Sequence, residues 1–318
     1  MKRILGLLVK VGISLGLVWW FLQQVAWDEV ETAVLSADWR WVLLSVGLFL
    51  LSNLLGALQW GMLLKAQNIR LSLPQVILLY FVGVFFNNFM VGNIGGDAIR
   101  VYDLKRMTGR GTAGFAATFL DRLIGLFTLS CFSVVAFAGS PGLWDSVLWM
   151  PIGCLGLGLF GILCFGFSRR LSSAILSLAS RALPVGVVGV LKDIREGFVL
   201  YRKEYGLLFR VGCVALCVQL CRMGVYYASG EALGLSVVFR HFLVFIPLIA
   251  IVAAVPISFG GIGVRENLGV LMFGRVGVAP AGALTMMFLG YLAGIVASLA
   301  GGIAFVLRRS KSQDSDSG

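Results

Sequence analysis

Charge is what this sequence has least of: 13% of its 318 residues are Asp, Glu, Lys or Arg, where a soluble domain carries about 25%. Histidine is almost missing, with His241 alone, which excludes a histidine-rich metal centre. Six cysteines stand at 131, 154, 164, 213, 217 and 221, all within apolar stretches. None has metal-ligand company, and no disulfide is indicated. Cys213, Cys217 and Cys221 recur every four residues, which predicts a small packing face on one helix. No Walker A pattern occurs, so ATP is not the direct driver of whatever the chain does. No cofactor or metal is expected.

What is present is apolar. Hydrophobic residues make up 59% of the chain, in long runs, with 41 Gly. A bilayer-spanning helix needs roughly 20 mostly apolar residues, and glycine lets such helices approach closely. The composition excludes a soluble globule and predicts an all-α polytopic membrane protein. The net charge of +11 would point to nucleic acid in a soluble protein. Here the basic residues fall mostly in short loops, where they set topology and contact anionic lipid heads, and no nucleic-acid partner is expected.

Full spans are expected at 4–25, 40–64, 112–139, 146–168, 206–233 and 278–307. Met1–Ala26 reads as a retained first span rather than a cleaved signal, its apolar run being longer than the usual signal core. The apolar stretches 74–93 and 237–258 behave differently once loop charge is applied. Lys2 and Arg3 place the N-terminus inside. The acidic loop 26–39 then lies outside, and Lys65 and Arg70 inside. A full crossing at 74–93 would put Arg100, Lys105, Arg106 and Arg110 outside, against the positive-inside rule. Entry and return from the cytoplasm removes the conflict. Arg308, Arg309 and Lys311 end the chain inside, so 237–258 must re-enter from the opposite face. The expected fold is therefore about six full transmembrane helices plus two oppositely oriented re-entrant segments, an inverted repeat. Eight simple spans are the alternative. The expected single membrane domain covers 1–309, with a first elbow at 74–111, a cytoplasmic loop at 169–205, a second elbow at 237–277 and a disordered tail at 310–318. Trp19, Trp20, Trp39, Trp41, Trp144 and Trp149 cluster at span ends as an aromatic belt.

The two elbows share a pattern. The first reads Asn87-Asn88-Phe-Met-Val-Gly92-Asn93-Ile-Gly95-Gly96-Asp97-Ala-Ile-Arg100, the second Pro256-Ile-Ser-Phe-Gly260-Gly261-Ile-Gly263-Val-Arg265-Glu266. Both carry Gly-Gly, two residues, a β-branched apolar residue and Arg. Gly-Gly permits a sharp turn. The peptide groups it frees are tolerated at membrane depth only inside protein or beside a watery cavity. Paired interrupted segments in the two halves of a transporter point to its binding site.

These elbows, with the acid–Arg pair Asp121-Arg122, resemble the flippase-like transmembrane family that includes the transmembrane region of lysylphosphatidylglycerol synthase, the multiple peptide resistance factor. Order and spacing agree over nearly the whole chain. Val91 stands where the family usually has Pro, and Asp121 where Glu is common. The soluble aminoacyl-transferring domain of the synthase has no counterpart in this sequence. The resemblance therefore implies lipid translocation and not lipid aminoacylation.

Asp121 and Arg122 lie about ten residues into their span, roughly 15 Å deep, and Arg222 is deep in 206–233. Charges at such depth pair or line a watery pathway, and arginine's planar fork suits phosphate. Arg122, Arg222, Arg100 and Arg265 are expected to hold an anionic headgroup. Asp97, Asp121 and Glu266 would balance charge, and Asn87, Asn88 and Asn93 would add hydrogen bonds around turns at Gly95, Gly96, Gly260 and Gly261. Asp121–Arg122 and Arg265–Glu266 could equally be structural ion pairs.

The leading expectation is a flippase or transporter moving an anionic or modified polar lipid, or a lipid-linked carrier, across a bacterial inner membrane, with both termini cytoplasmic. The rivals are a membrane-embedded transferase acting on lipid-linked sugars and a non-catalytic partner of a separate lipid-modifying synthase. No catalytic motif favours an enzyme.

Overall fold

The structure is a computed structural model that describes residues 34–89, 95–143, 168–182, 204–254 and 263–316, with further isolated residues at 32, 153, 156–158, 161, 189 and 201. The expected spans at 4–25 and most of 146–168 lie outside the described residues, as do site candidates Asn93, Gly260 and Gly261.

The described chain repeats one order of elements. It opens with α1 (Trp39–Ala66), α2 (Leu73–Phe89), α3 (Gly95–Thr108) and α4 (Gly111–Ala138), followed by a short 3-10 turn at Pro141–Leu143. After α5 (Arg169–Ala182) the order recurs as α6 (Tyr205–Ala232), α7 (Phe239–Ala254), α8 (Val264–Gly274) and α9 (Pro280–Asp316). Each set runs long, short, short, long. The long helices α1, α4, α6 and α9 (over Pro280–Val306) are apolar and long enough to cross a membrane. The apolar helices α2 and α7 have 17 and 16 residues, about 25 Å each at 1.5 Å per residue. That falls short of a hydrocarbon core about 30 Å thick.

Each short pair is a hairpin that returns to its own starting end. In the first, Arg110 beyond α3 donates to the Gln67 and Asn68 carbonyls before α2, at 3.2 and 3.3 Å. Eight simple spans would separate these residues by the membrane thickness. In the second, the Phe273 ring near the end of α8 packs 5.0 Å from Phe242 and 5.2 Å from Phe245 near the start of α7. A Cβ at Gly282 in α9 would meet Leu235, before α7, at 3.1 Å.

The two hairpins open toward opposite ends. Asp38 N–H, at the start of α1, donates to Ala232 O at the end of α6 at 2.9 Å, while Tyr201, before α6, donates through its hydroxyl to Leu63 O near the end of α1, also at 2.9 Å. Burial pushes the Tyr201 phenol up to about 12, so it remains a donor. Thus α1 and α6 are antiparallel, with the first hairpin open beside the end of α1 and the second beside the end of α6. The inverted repeat expected from loop charge is the observed fold. Labelling tests it: a cysteine at the exposed Lys105 and one at the exposed Arg275 should react with an impermeant maleimide from opposite faces. Both reacting from one face would remove the inverted repeat.

Packing follows the repeat. Ala57, Trp60, Leu63, Leu64, Leu79 and Leu104 sit in one core around the first hairpin. Phe242, Phe245, Phe273, Met286 and Met287 sit in another around the second. Three details differ from expectation. Cys213 and Cys217 are exposed and Cys221 is half-buried, so the cysteine stripe is not a buried packing face among the described residues. The 169–205 segment contains helix α5, and α9 runs on as helix to Asp316, through residues expected to form a disordered tail. No Pro or Gly interrupts that stretch before Gly318.

Candidate substrate cavity

A polar cavity of about 340 Å3 lies between the two hairpins. Asn87 and Asn88 enter from α2, Asp97 and Arg100 from α3, Asp121 and Arg122 from α4, Arg222 from α6 and Arg265 from α8. Eight predicted residues from five helices thus meet at one site. Gly96 is buried beneath it, and its N–H donates to Asn87 Oδ1 at 2.8 Å, capping the start of α3.

The pairing of charges is not the one sequence order implies. Neighbours on a helix point about 100° apart, and Asp121 does not pair with Arg122. The Asp121 carboxylate accepts from Gln59 Nε2 at 2.8 Å and lies 3.7 Å from Arg100 Nη2. Arg122 instead pairs through Nε with Asp97, which also binds Arg100 Nη2 at 3.1 Å. The Arg100 guanidinium is sandwiched by aromatic faces, 4.7 Å from Trp60 and 4.9 Å from Tyr80, and Trp60 is itself held by its N–H to Thr118 Oγ1 at 3.0 Å. Two acids and two arginines so form one self-compensating cluster. A double-mutant cycle on thermal stability should find about 1 kcal/mol of coupling between Asp97→Asn and Arg122→Gln. Between Asp121→Asn and Arg122→Gln it should find little. The reverse ranking would contradict this pairing.

Glu266 also differs from its expected role. It accepts from Gly263 N–H at 2.7 Å and caps α8, and among the described residues it does not line the cavity. Gly263 has φ +82°, a conformation that favours glycine. Arg265 lies 5.0 Å from the Tyr291 ring and has Tyr226 as a hydrogen-bond partner. Arg222 is near enough to Asp121 to act on its charge but not to pair with it. It makes no ion pair among the described residues.

Sequence reasoning missed the neutral part of the wall. Asn53 is fully buried, and neither of its amide atoms has a partner among the described residues. Gln219 donates to Gly125 O at 3.2 Å, leaving Oε1 unpartnered. Tyr80, Tyr226 and Tyr291 also line it. Asn53, Gln59 and Gln219 could have been found, since each is an isolated amide within an apolar span. The tyrosines carry no such signal.

Residues 7–302 match the family described as the lysylphosphatidylglycerol synthase TM region. The chain belongs to that family. Its relatives include a UPF0104 membrane protein of Pyrococcus horikoshii, 26% identical over 97% of this chain and 98% of the relative. Two UPF0104 membrane proteins of Methanothermobacter thermautotrophicus are 21% and 20% identical, over 71% and 80% of each chain. Membership makes this a multi-pass membrane protein, consistent with the four long apolar helices.

Proposed function

We propose that this family member transports a phosphate-bearing lipid, or a lipid-linked carrier, across a bacterial inner membrane, with the headgroup passing through the cavity between the hairpins. The observation that carries this reading is Arg222: a cation in a membrane-embedded cavity without a carboxylate partner among the described residues. A charge at that depth is expensive unless compensated, and an anionic ligand supplies the compensation. Four arginines and two aspartates line the cavity, an excess of two positive charges that favours a phosphate over a cationic headgroup. The unpartnered amide atoms of Asn53 and Gln219 add the Asn53 Nδ2 donors and two acceptor oxygens for a polar headgroup. Arg100 and Arg122 are occupied by Asp97, so Arg222 is the main ligand cation.

The oppositely opening hairpins support alternating access, one gating each side. The end bearing Lys65, Arg70, Lys105, Arg106 and Arg110 would be cytoplasmic by the positive-inside rule, and so would both termini.

Purified protein in liposomes tests the reading. It should move a fluorescent anionic phospholipid between leaflets without any sugar or aminoacyl donor, and move a lysylated lipid more slowly. Activity that appears only with a donor would favour a transferase, and none under either condition would remove the transport reading.

A further inference from the structure

Two wall residues of the central cavity carry polar atoms that the described chain leaves unanswered. Asn53 is fully buried and Gln219 is 3% exposed, and both line the cavity. Asn53 Nδ2, Asn53 Oδ1 and Gln219 Oε1 have no hydrogen-bond partner among the described residues. Folded proteins rarely leave buried polar atoms unbonded, because the desolvation goes uncompensated. Two such side chains in one apolar bundle mark a place where a ligand bonds.

Their position is set by the repeat. Asn53 is the fifteenth residue of the 28-residue α1, and Gln219 the fifteenth of the 28-residue α6. The same register relates other wall residues. Trp60 and Tyr226 are each the twenty-second residue of these helices, and each holds its own elbow arginine. Arg100 lies 4.7 Å from the Trp60 ring, and Arg265 hydrogen-bonds Tyr226. Gly125 and Gly294, both lining the cavity, are the fifteenth residues of α4 and α9. On the antiparallel α1–α6 seam, Ser45 meets Val225 and Ser229, and Leu48 packs on Gly224. That register places Asn53 level with Gln219. Equivalent residues at one level lie beside the two-fold axis of an inverted repeat, which runs in the membrane plane. The two amides therefore line the cavity near the bilayer midplane.

The chemistry of the unanswered atoms selects the ligand. Amide oxygens only accept, and Gln219 Nε2 is already committed to Gly125 O at 3.2 Å, so the pair needs a donor. An ionised phosphodiester supplies acceptors alone. An ammonium supplies donors, but four arginines against two aspartates in the same cavity repel it. A hydroxyl both donates and accepts, and so answers the two oxygens and Asn53 Nδ2. Gln219 and Arg222 stand three apart on α6, neighbours on one helix face. A hydroxyl held at the amides therefore belongs to the substituent carried by a phosphate at Arg222.

We propose that Asn53 and Gln219 form a subsite for the hydroxyl groups of a neutral headgroup, a glycerol or a sugar ring, in a phosphodiester lipid. The proposal rests on the headgroup reading above and narrows it: a lipid phosphomonoester, or a diester without hydroxyls, is a poor substrate.

The test is transport of tail-labelled lipids by the full chain in phosphatidylcholine vesicles. Phosphatidylmethanol is a diester of the same charge with no headgroup hydroxyl. Phosphatidylglycerol carries hydroxyls on a short chain, and phosphatidylinositol carries them on a ring. At least one of these two should move about tenfold faster than phosphatidylmethanol, the worth of about two hydrogen bonds. In Asn53→Leu, and in Gln219→Met, that ratio should fall toward one. Each ratio is taken on a single preparation, so loss of folded protein slows both lipids and leaves it unchanged. A wild type that moves all three lipids alike, or a preference that survives both substitutions, overturns the subsite. If Arg222→Ala still slows every lipid in that case, the headgroup reading stands and the amide subsite alone falls. If Arg222→Ala slows none, both fall.

Discussion

Arg222→Ala should cut lipid transport by about tenfold to a hundredfold while leaving the protein inserted at normal abundance. The size follows from removing charge-assisted hydrogen bonds, worth about 1.5–3 kcal/mol each, where every 1.4 kcal/mol is about a factor of ten. Folding should be spared because Arg222 forms no ion pair among the described residues, and the buried Asp121 keeps Gln59 and Arg100 when it is lost. Arg222→Lys is the sharper variant. It keeps the charge and gives up the planar fork that binds two oxygens at once. If phosphate is held bidentately, Lys should retain only a minor fraction of transport. Arg122→Lys should be milder, because Arg122 answers to Asp97 within the protein. Wild-type transport in Arg222→Lys would remove the fork, and wild-type transport in Arg222→Ala would remove the headgroup site itself.

This contrast between two arginines rests on distances that the sequence does not contain. Arginines at depth were legible because charge is so scarce in this chain that each intramembrane instance stands out. Their partners were not. Asp121 looked like the mate of Arg122 because they are consecutive, and on a helix consecutive residues diverge. The acid that Arg122 finds is on α3, 25 positions away. Sequence shows which charges are buried, but tertiary packing decides which of them are already neutralised.

The fold was more legible than the site, for a physical reason. Re-entry leaves two marks that survive in one dimension: an apolar run too short to cross at ease, and basic residues on the side a full crossing would forbid. Both appear at 74–111, and the Arg110 bonds to Gln67 and Asn68 confirm the return. The second hairpin had weaker marks, since Arg240 and Arg275 lie on the disfavoured side, and it was inferred from the charge after α9. The reason for the glycines was only half legible. A sharp turn in backbone angles that favour glycine was expected at the Gly-Gly pairs, of which Gly260 and Gly261 lie outside the described residues. Gly263, just beyond the second pair, has a positive φ, but Gly96 is ordinary helix, outside the positive-φ set.

At Gly96 the constraint is contact. A Cβ there would run into the Gly83 carbonyl oxygen and meet the Asn87 backbone nitrogen at 2.8 Å. The clash is with backbone, so no side-chain rotation relieves it, and α3 would have to move off α2. That shift would carry Asp97 and Arg100 out of the cavity and strain the Gly96 N–H bond to Asn87 Oδ1. Even Gly96→Ala should therefore destabilise by about 1–3 kcal/mol, the usual cost of overpacking, and abolish most transport. Gly96→Val should be worse. Gly83→Ala should be intermediate, since its Cβ would stand 3.1 Å from Gly96 O. Gly212→Ala should be silent, because that Cβ meets nothing within 4 Å. The measurements are thermal stability in detergent and transport in liposomes across the three alanine variants. If positive φ were the reason for glycine at the first elbow, Gly83→Ala would be harmless. The graded order Gly96, Gly83, Gly212 is expected only if α2 and α3 touch backbone to backbone, and equal behaviour of all three variants would refute that contact.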